Sequence, residues 1–179
     1  MLKHVMLDLE TWGTQPYSTI IAIGACVFDP YVSAPDNIIV DQFEVAIDPE
    51  SCQGMRIDPA TMMWWLDPER EVAREAWRLM LKVSLPEALD GFSDWLNSHG
   101  PDVRIWGNGA GFDNTLLRQA YEVMKRDAPW NFRHDRCFRT LRSMLSEPLK
   151  QVTHSALTDA VDQAMRVNLI VRNLGIKLT

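Results

Sequence analysis

A chain of 179 residues, 46% hydrophobic and 23% charged, can bury a substantial core, and no apolar run approaches the ~20 residues that a membrane-spanning helix needs. Cys26, Cys52 and Cys137 are odd in number and widely spaced, which argues against a disulfide framework or a cysteine zinc site. The net charge of −6 does not mark a nucleic-acid binder, yet Arg118 to Lys150 holds eight Lys/Arg against four Asp/Glu, compatible with a phosphate-binding strip and more readily with a solvated helix face.

The opening segment, one Lys followed by Asp-Leu-Glu, does not read as a signal peptide, and a cytoplasmic protein is expected. Met1 to Leu7 reads as a strand, "TIIAIGACVFDP" as a buried apolar strand and "VDQFEVAID" as an alternating, more exposed one. Short Gly, Pro and Asp-rich turns join them into an antiparallel meander. Asp58 caps a helix over "PATMMWWLD", with Pro59 at its first position. In "DPEREVAREAWRLMLK" the residues Val72, Ala73, Ala76, Leu79 and Met80 form an apolar helical stripe. Ser84 and Glu87 form a capping box for the next helix, which Gly100 ends. "DVRIWGN" is a fourth strand. Helices follow over "DNTLLRQAYEVMKRD", around "CFRTLRSML", and over a last segment stopped by Gly175. Strands first, then alternating helices and strands, describe one α/β domain over residues 1–179, a mixed sheet flanked by helices.

Asp8 and Glu10 end the first strand two residues apart, which on a strand sets both carboxylates on one face. Three explanations stand: the strand stops before Asp8 and both acids are solvated, they form an acid-base couple, or they bind a divalent cation that offsets their repulsion. "WGNGAGFDNTLL" favours the cation. It sets Asp113 where a strand gives way to a helix, behind three glycines. "HSALTDAVDQA" adds His154 and, five residues on, Asp159, with Asp162 on a neighbouring position of the helix.

The motifs "DLET", "NGAGFD" and "HSALTD", in that order, resemble the DEDD-type 3′-5′ exonucleases of the ribonuclease H-like fold, in the branch bearing His-x-x-x-x-Asp. The middle motif has one residue more after Asn108 than the family's commonest spacing. Adjacent Trp64 and Trp65 are similar to a subgroup that includes phage and prophage exodeoxyribonucleases and a mycobacterial 3′-5′ exoribonuclease. The resemblance implies a ribonuclease H-like mixed sheet, three antiparallel strands first and then parallel ones. It implies two divalent cations, Mg²⁺ or Mn²⁺, held by Asp8, Glu10, Asp113 and Asp159, with His154 as general base. The backbone at Leu9 and Thr11 then grips the terminal sugar of a single-stranded 3′ end. Trp12 or Phe112 packs on the end nucleotide, and Trp64 or Trp65 stacks on a base. Arg133, Arg136, Arg139 and Arg142 recur every third residue, winding slowly around a helix, as candidates for phosphate contact. The expected activity is release of nucleoside 5′-monophosphates from single-stranded DNA or 3′ overhangs, with an exoribonuclease as the alternative. A homodimer is possible. A catalytically silent nucleic-acid-binding module and a phosphatase of small molecules are the rivals.

Overall fold

The first strand does not stop at Leu7. In the computed structural model, which describes residues 3–144 and 153–178, β1 spans Lys3–Thr11 and carries both acids within the ladder. Met1 and Leu2 of that expected strand, Leu145 of an expected helix and Lys150 of the basic count lie outside the described residues. Side chains of β1 alternate between two buried faces. Val5, Leu7 and Leu9 enter one core and Met6 enters the other. Asp8 and Glu10 share the parity of Met6, so the acids lie on the second face.

β2 (Ile20–Phe28) and β3 (Ile39–Ile47) complete the antiparallel meander. β5 (Val103–Gly107) pairs parallel with β1. Two further strands escaped the sequence reading. β4 (Lys82–Val83) pairs with β3, and β6 (Asp135–Cys137) pairs with β5, both parallel. Two or three residues are too few to display a period of two. Among the described residues the sheet has the order β4-β3-β2-β1-β5-β6.

Helices cover both faces. α3 (Leu85–Ser98), held at its start by the Ser84–Glu87 capping box, and α4 (Asp113–Val123) bury Leu89, Phe92 and Leu117 against Val5, Leu7 and Leu9. α5 (Phe138–Arg142) and α6 (Ala156–Leu174) bury Phe138, Ala164 and Val167 against Met6, Cys26 and Trp106. α1 (Pro59–Trp65) starts as expected, with Asp58 accepting from the Ala60 amide at 3.1 Å.

α2 (Glu71–Leu79) corrects the expected stripe, because Val72 and Leu79 are 84% and 75% exposed. The inward face is Ala73 and Trp77, packed with Ile21, Trp65 and Trp12. Trp77 turns the helix by donating its indole N–H to the Ile21 carbonyl at 2.9 Å.

Gly24 decides where α6 lies. A Cβ at Gly24 would stand 2.1 Å from backbone atoms of Ala156 and Leu157. Only a residue without a side chain lets the start of α6 cross β2 so closely.

Candidate active site

Three elements converge at the carboxyl end of β1. Asp8 and Glu10 come from the strand itself. Asp159 comes from the first turn of α6, which Gly24 admits to the sheet. One carboxylate oxygen from each lies within 4.8 Å of the others. Asp113 is the first residue of α4, not its cap. It is 2% exposed and accepts from the Gly109 amide at 3.1 Å. Gly107 makes that placement possible, since a Cβ there would come within 2.4 Å of Asn114 Oδ1 and 2.9 Å of Asp113 Cβ.

These carboxylates sit in unfavourable surroundings for anions. Burial, then the charges of Asp113 and Glu10, holds Asp8 well above the ordinary carboxylate range. Burial, then Asp159 and Asp113, pushes Glu10 up to about 8. Asp113 rises to about 6 through burial, against the amides of Gly109 and Leu9 that favour its anion. Such a group is built for a positive charge.

Asp159 also organises the approach to α6. The Thr153 amide and hydroxyl donate to its Oδ1 at 3.0 and 2.9 Å, and the His154 amide donates to Oδ2 at 2.9 Å. This pins His154 at φ +56°, a left-handed conformation, and aims its half-buried ring at Trp64, centroids 4.8 Å apart and planes at 87°. The guanidinium of Arg70 lies 4.5 Å above the same Trp64 ring. Burial, and secondarily Arg70, lowers the His154 pKa, while Asp159 raises it.

A cleft of about 260 Å³ is lined by Asp8, Leu9, Glu10, Asn108, Phe112, Asp113, Arg139, His154 and Asp159. Asp8, Leu9, Glu10, Phe112, Asp113, Arg139, His154 and Asp159, all expected from sequence, are thus brought together, whereas Thr11, Trp12 and Trp65 are not. Trp65 is a correction. It is 2% exposed and donates its indole N–H to the Thr11 carbonyl at 3.0 Å, so its ring belongs to the core and Trp64 takes the accessible place. Thr11 is buried with its hydroxyl on the Gly13 carbonyl at 2.6 Å. Trp12 packs edge-on against Trp65 and Trp77.

The basic run is corrected too. Arg133 lies in a 3-10 turn, Arg136 in β6 and Arg139 and Arg142 in α5, so no single helix presents it. Asp135 accepts from Asn114, Arg118 and Trp130 and ties α4 to β6. Asp162 pairs with Arg166 at 2.8 Å. Asn108 lines the cleft with its Oδ1 buried and unbonded. Sequence reasoning missed Gln163, which donates Nε2 to Asp8 Oδ1 at 2.8 Å. Its position four residues after Asp159, on the same helix face, was the available signal.

Residues 3–171 match the family described as the 3′-5′ exoribonuclease Rv2179c-like domain. The chain belongs to this family. Family membership makes it a hydrolytic 3′-5′ exonuclease. No curated protein matches the chain. Among solved structures, the nuclease domain of 3′hExo, a DEDDh family member bound to rAMP, superposes with TM-score 0.63 at 14% identity, over 99% of this chain and 94% of that one. E. coli Exonuclease I in complex with a dA16 oligonucleotide gives 0.62 at 16%, over 97% of this chain and 41% of its own. Exonuclease X in complex with 5′ overhanging duplex DNA gives 0.53 at 18%, over 97% and 94%. The shared fold is the ribonuclease H-like mixed sheet of the DEDDh 3′-exonucleases.

Proposed function

We propose that the chain removes nucleoside 5′-monophosphates from the 3′ end of single-stranded nucleic acid by two-metal-ion hydrolysis. The observation that carries this reading is the convergence of Asp8, Glu10 and Asp159 within 4.8 Å, beside Asp113 and His154 in one cleft. The donor set is all carboxylate oxygen, which suits hard cations such as Mg²⁺ or Mn²⁺. Asp8, Glu10 and Asp159 would hold one ion, and Asp8 and Asp113 a second. When bound, the ions supply charge that stabilises the attacking and leaving oxygens of an in-line displacement.

The chain's own residues do the rest. A ring nitrogen of His154 takes the proton of the attacking water, and burial of the ring favours the neutral form that this task needs. Gln163 fixes the Asp8 carboxylate. The backbone at Leu9 grips the terminal sugar, and Phe112, half-buried at the cleft, packs on the last nucleotide. Trp64, exposed beside His154, is the aromatic that a base can reach.

The family's description names an exoribonuclease, which favours RNA over the DNA expected from the sequence. We read the chain as one cytoplasmic domain over 1–179, free to form a homodimer. Among the described residues no helix is long and apolar enough to cross a membrane. The test is shortening of 5′-labelled single-stranded RNA and DNA with Mg²⁺ or Mn²⁺. A ladder receding from the 3′ end, abolished by EDTA and by Asp8→Ala, is expected. Failure on both polymers with both metals overturns the catalytic reading in favour of a silent binding module.

A further inference from the structure

Of the four arginines in the basic run, Arg139 lines the carboxylate cleft. Its amide donates to the Asn108 carbonyl at 2.9 Å, which fixes the first turn of α5 against the loop before Asp113. Its guanidinium lies over Gly109, where a Cβ would stand 3.5 Å from Cζ and Nη2. Arg118, Arg126 and Arg166 are each engaged in an ion pair. Arg139 forms none among the described residues, although it borders a pocket of carboxylates. Asp113, Asp8 and Asp159 accept instead from Gly109, Gln163, Thr153 and the His154 amide. Arg139 is exposed on the lining of the cleft, and its guanidinium fork suits a planar or tetrahedral anion.

Its side of the cleft identifies that anion. The His154 amide donates to Asp159 on one side, and on the other the Arg139 guanidinium lies over Gly109, whose amide donates to Asp113. In an in-line displacement the nucleophile enters opposite the leaving oxygen. With His154 beside the attacking water, the leaving 3′ oxygen points towards Asp113, and the rest of the strand continues past it. The first group beyond is the next backbone phosphate. We propose that Arg139 binds the phosphate one linkage inward from the scissile bond and so selects a polymer end over a single isolated phosphodiester. This rests on the exonuclease reading above.

The test uses a 5′-labelled hexanucleotide, unmodified or carrying one neutral methylphosphonate at the second linkage from the 3′ end, with full-length wild type, Arg139→Ala and Arg139→Lys. For wild type the neutral linkage is expected to raise KM about tenfold with kcat little changed. Arg139→Ala is expected to show the same rise on the unmodified strand and no further rise on the modified one, with Arg139→Lys between. An unchanged thermal midpoint shows that the exposed substitution left the fold intact. Arg139→Ala with wild-type KM, or two effects that simply multiply, overturns the contact while leaving the exonuclease standing. A wild type that shortens neither strand overturns both.

Discussion

Asp8 and Gly24 are direct cross-strand partners in the β1–β2 ladder. The carboxylate and the missing side chain belong to one design, because α6 crosses at Gly24 and delivers Asp159 and Gln163 to the neighbouring Asp8. Gly24→Ala therefore drives a methyl into the α6 backbone. It is expected to cost about 3 kcal/mol or more in urea unfolding and to reduce activity by displacing Asp159. Gly111→Ala, which meets nothing within 4 Å, is the control and changes stability by about 0.5 kcal/mol or less.

Asp8→Asn separates chemistry from stability. The amide keeps an acceptor for Gln163 but removes a buried charge from beside Glu10 and Asp113. Activity should fall at least about a thousandfold. In EDTA the thermal midpoint should rise by several degrees, as expected where a function-bearing group is held at a cost in stability. A fall in the midpoint would show that the carboxylate is not strained in the metal-free protein.

The same acids set a pH dependence. The folded-state pKa of Glu10 is raised from 4.5 to about 8. Between those values the folded chain holds more protons than the unfolded chain, so metal-free stability falls as pH rises across that window. Added Mg²⁺ or Mn²⁺ should flatten the slope and raise the midpoint with concentration. Melting curves at several pH values, with and without EDTA, would display both effects.

Adjacent tryptophans should behave oppositely. Trp65→Ala opens a cavity where a 2%-exposed ring sits and is expected to cost about 3–5 kcal/mol. Trp64→Ala should leave stability nearly unchanged yet lower kcat about tenfold by releasing the His154 ring, with Trp64→Phe retaining most of the activity. Comparison of unfolding and turnover for the three variants decides it.

Arg70 offers a pH readout of the same contact. It lowers the His154 pKa across Trp64. A general base loses activity as it protonates, so Arg70→Gln should move the acid limb of kcat/KM to higher pH. An unmoved limb would remove His154 from that role.

The meander, the capped helices and the spacing of the acids were legible because each is local. Asp58, Ser84 and Gly100 mark helix ends through their own side chains or lack of one. β4 and β6 were not legible, being set by neighbouring strands and not by their own pattern. The choice between Trp64 and Trp65 was equally hidden. It depends on the Thr11 carbonyl, 54 residues away, which claims the indole N–H of Trp65. Arg139 looked like one beat of a regular run until the fold set its neighbours in β6 and a 3-10 turn.

The hydrogen bond between Asp8 and Gln163 joins residues 155 positions apart. During synthesis the first strand and its two acids leave the ribosome long before α6 exists. A nascent chain at that stage lacks Asp159, His154 and the amide that orients Asp8. The acid cluster is therefore complete only once α6 has docked across Gly24.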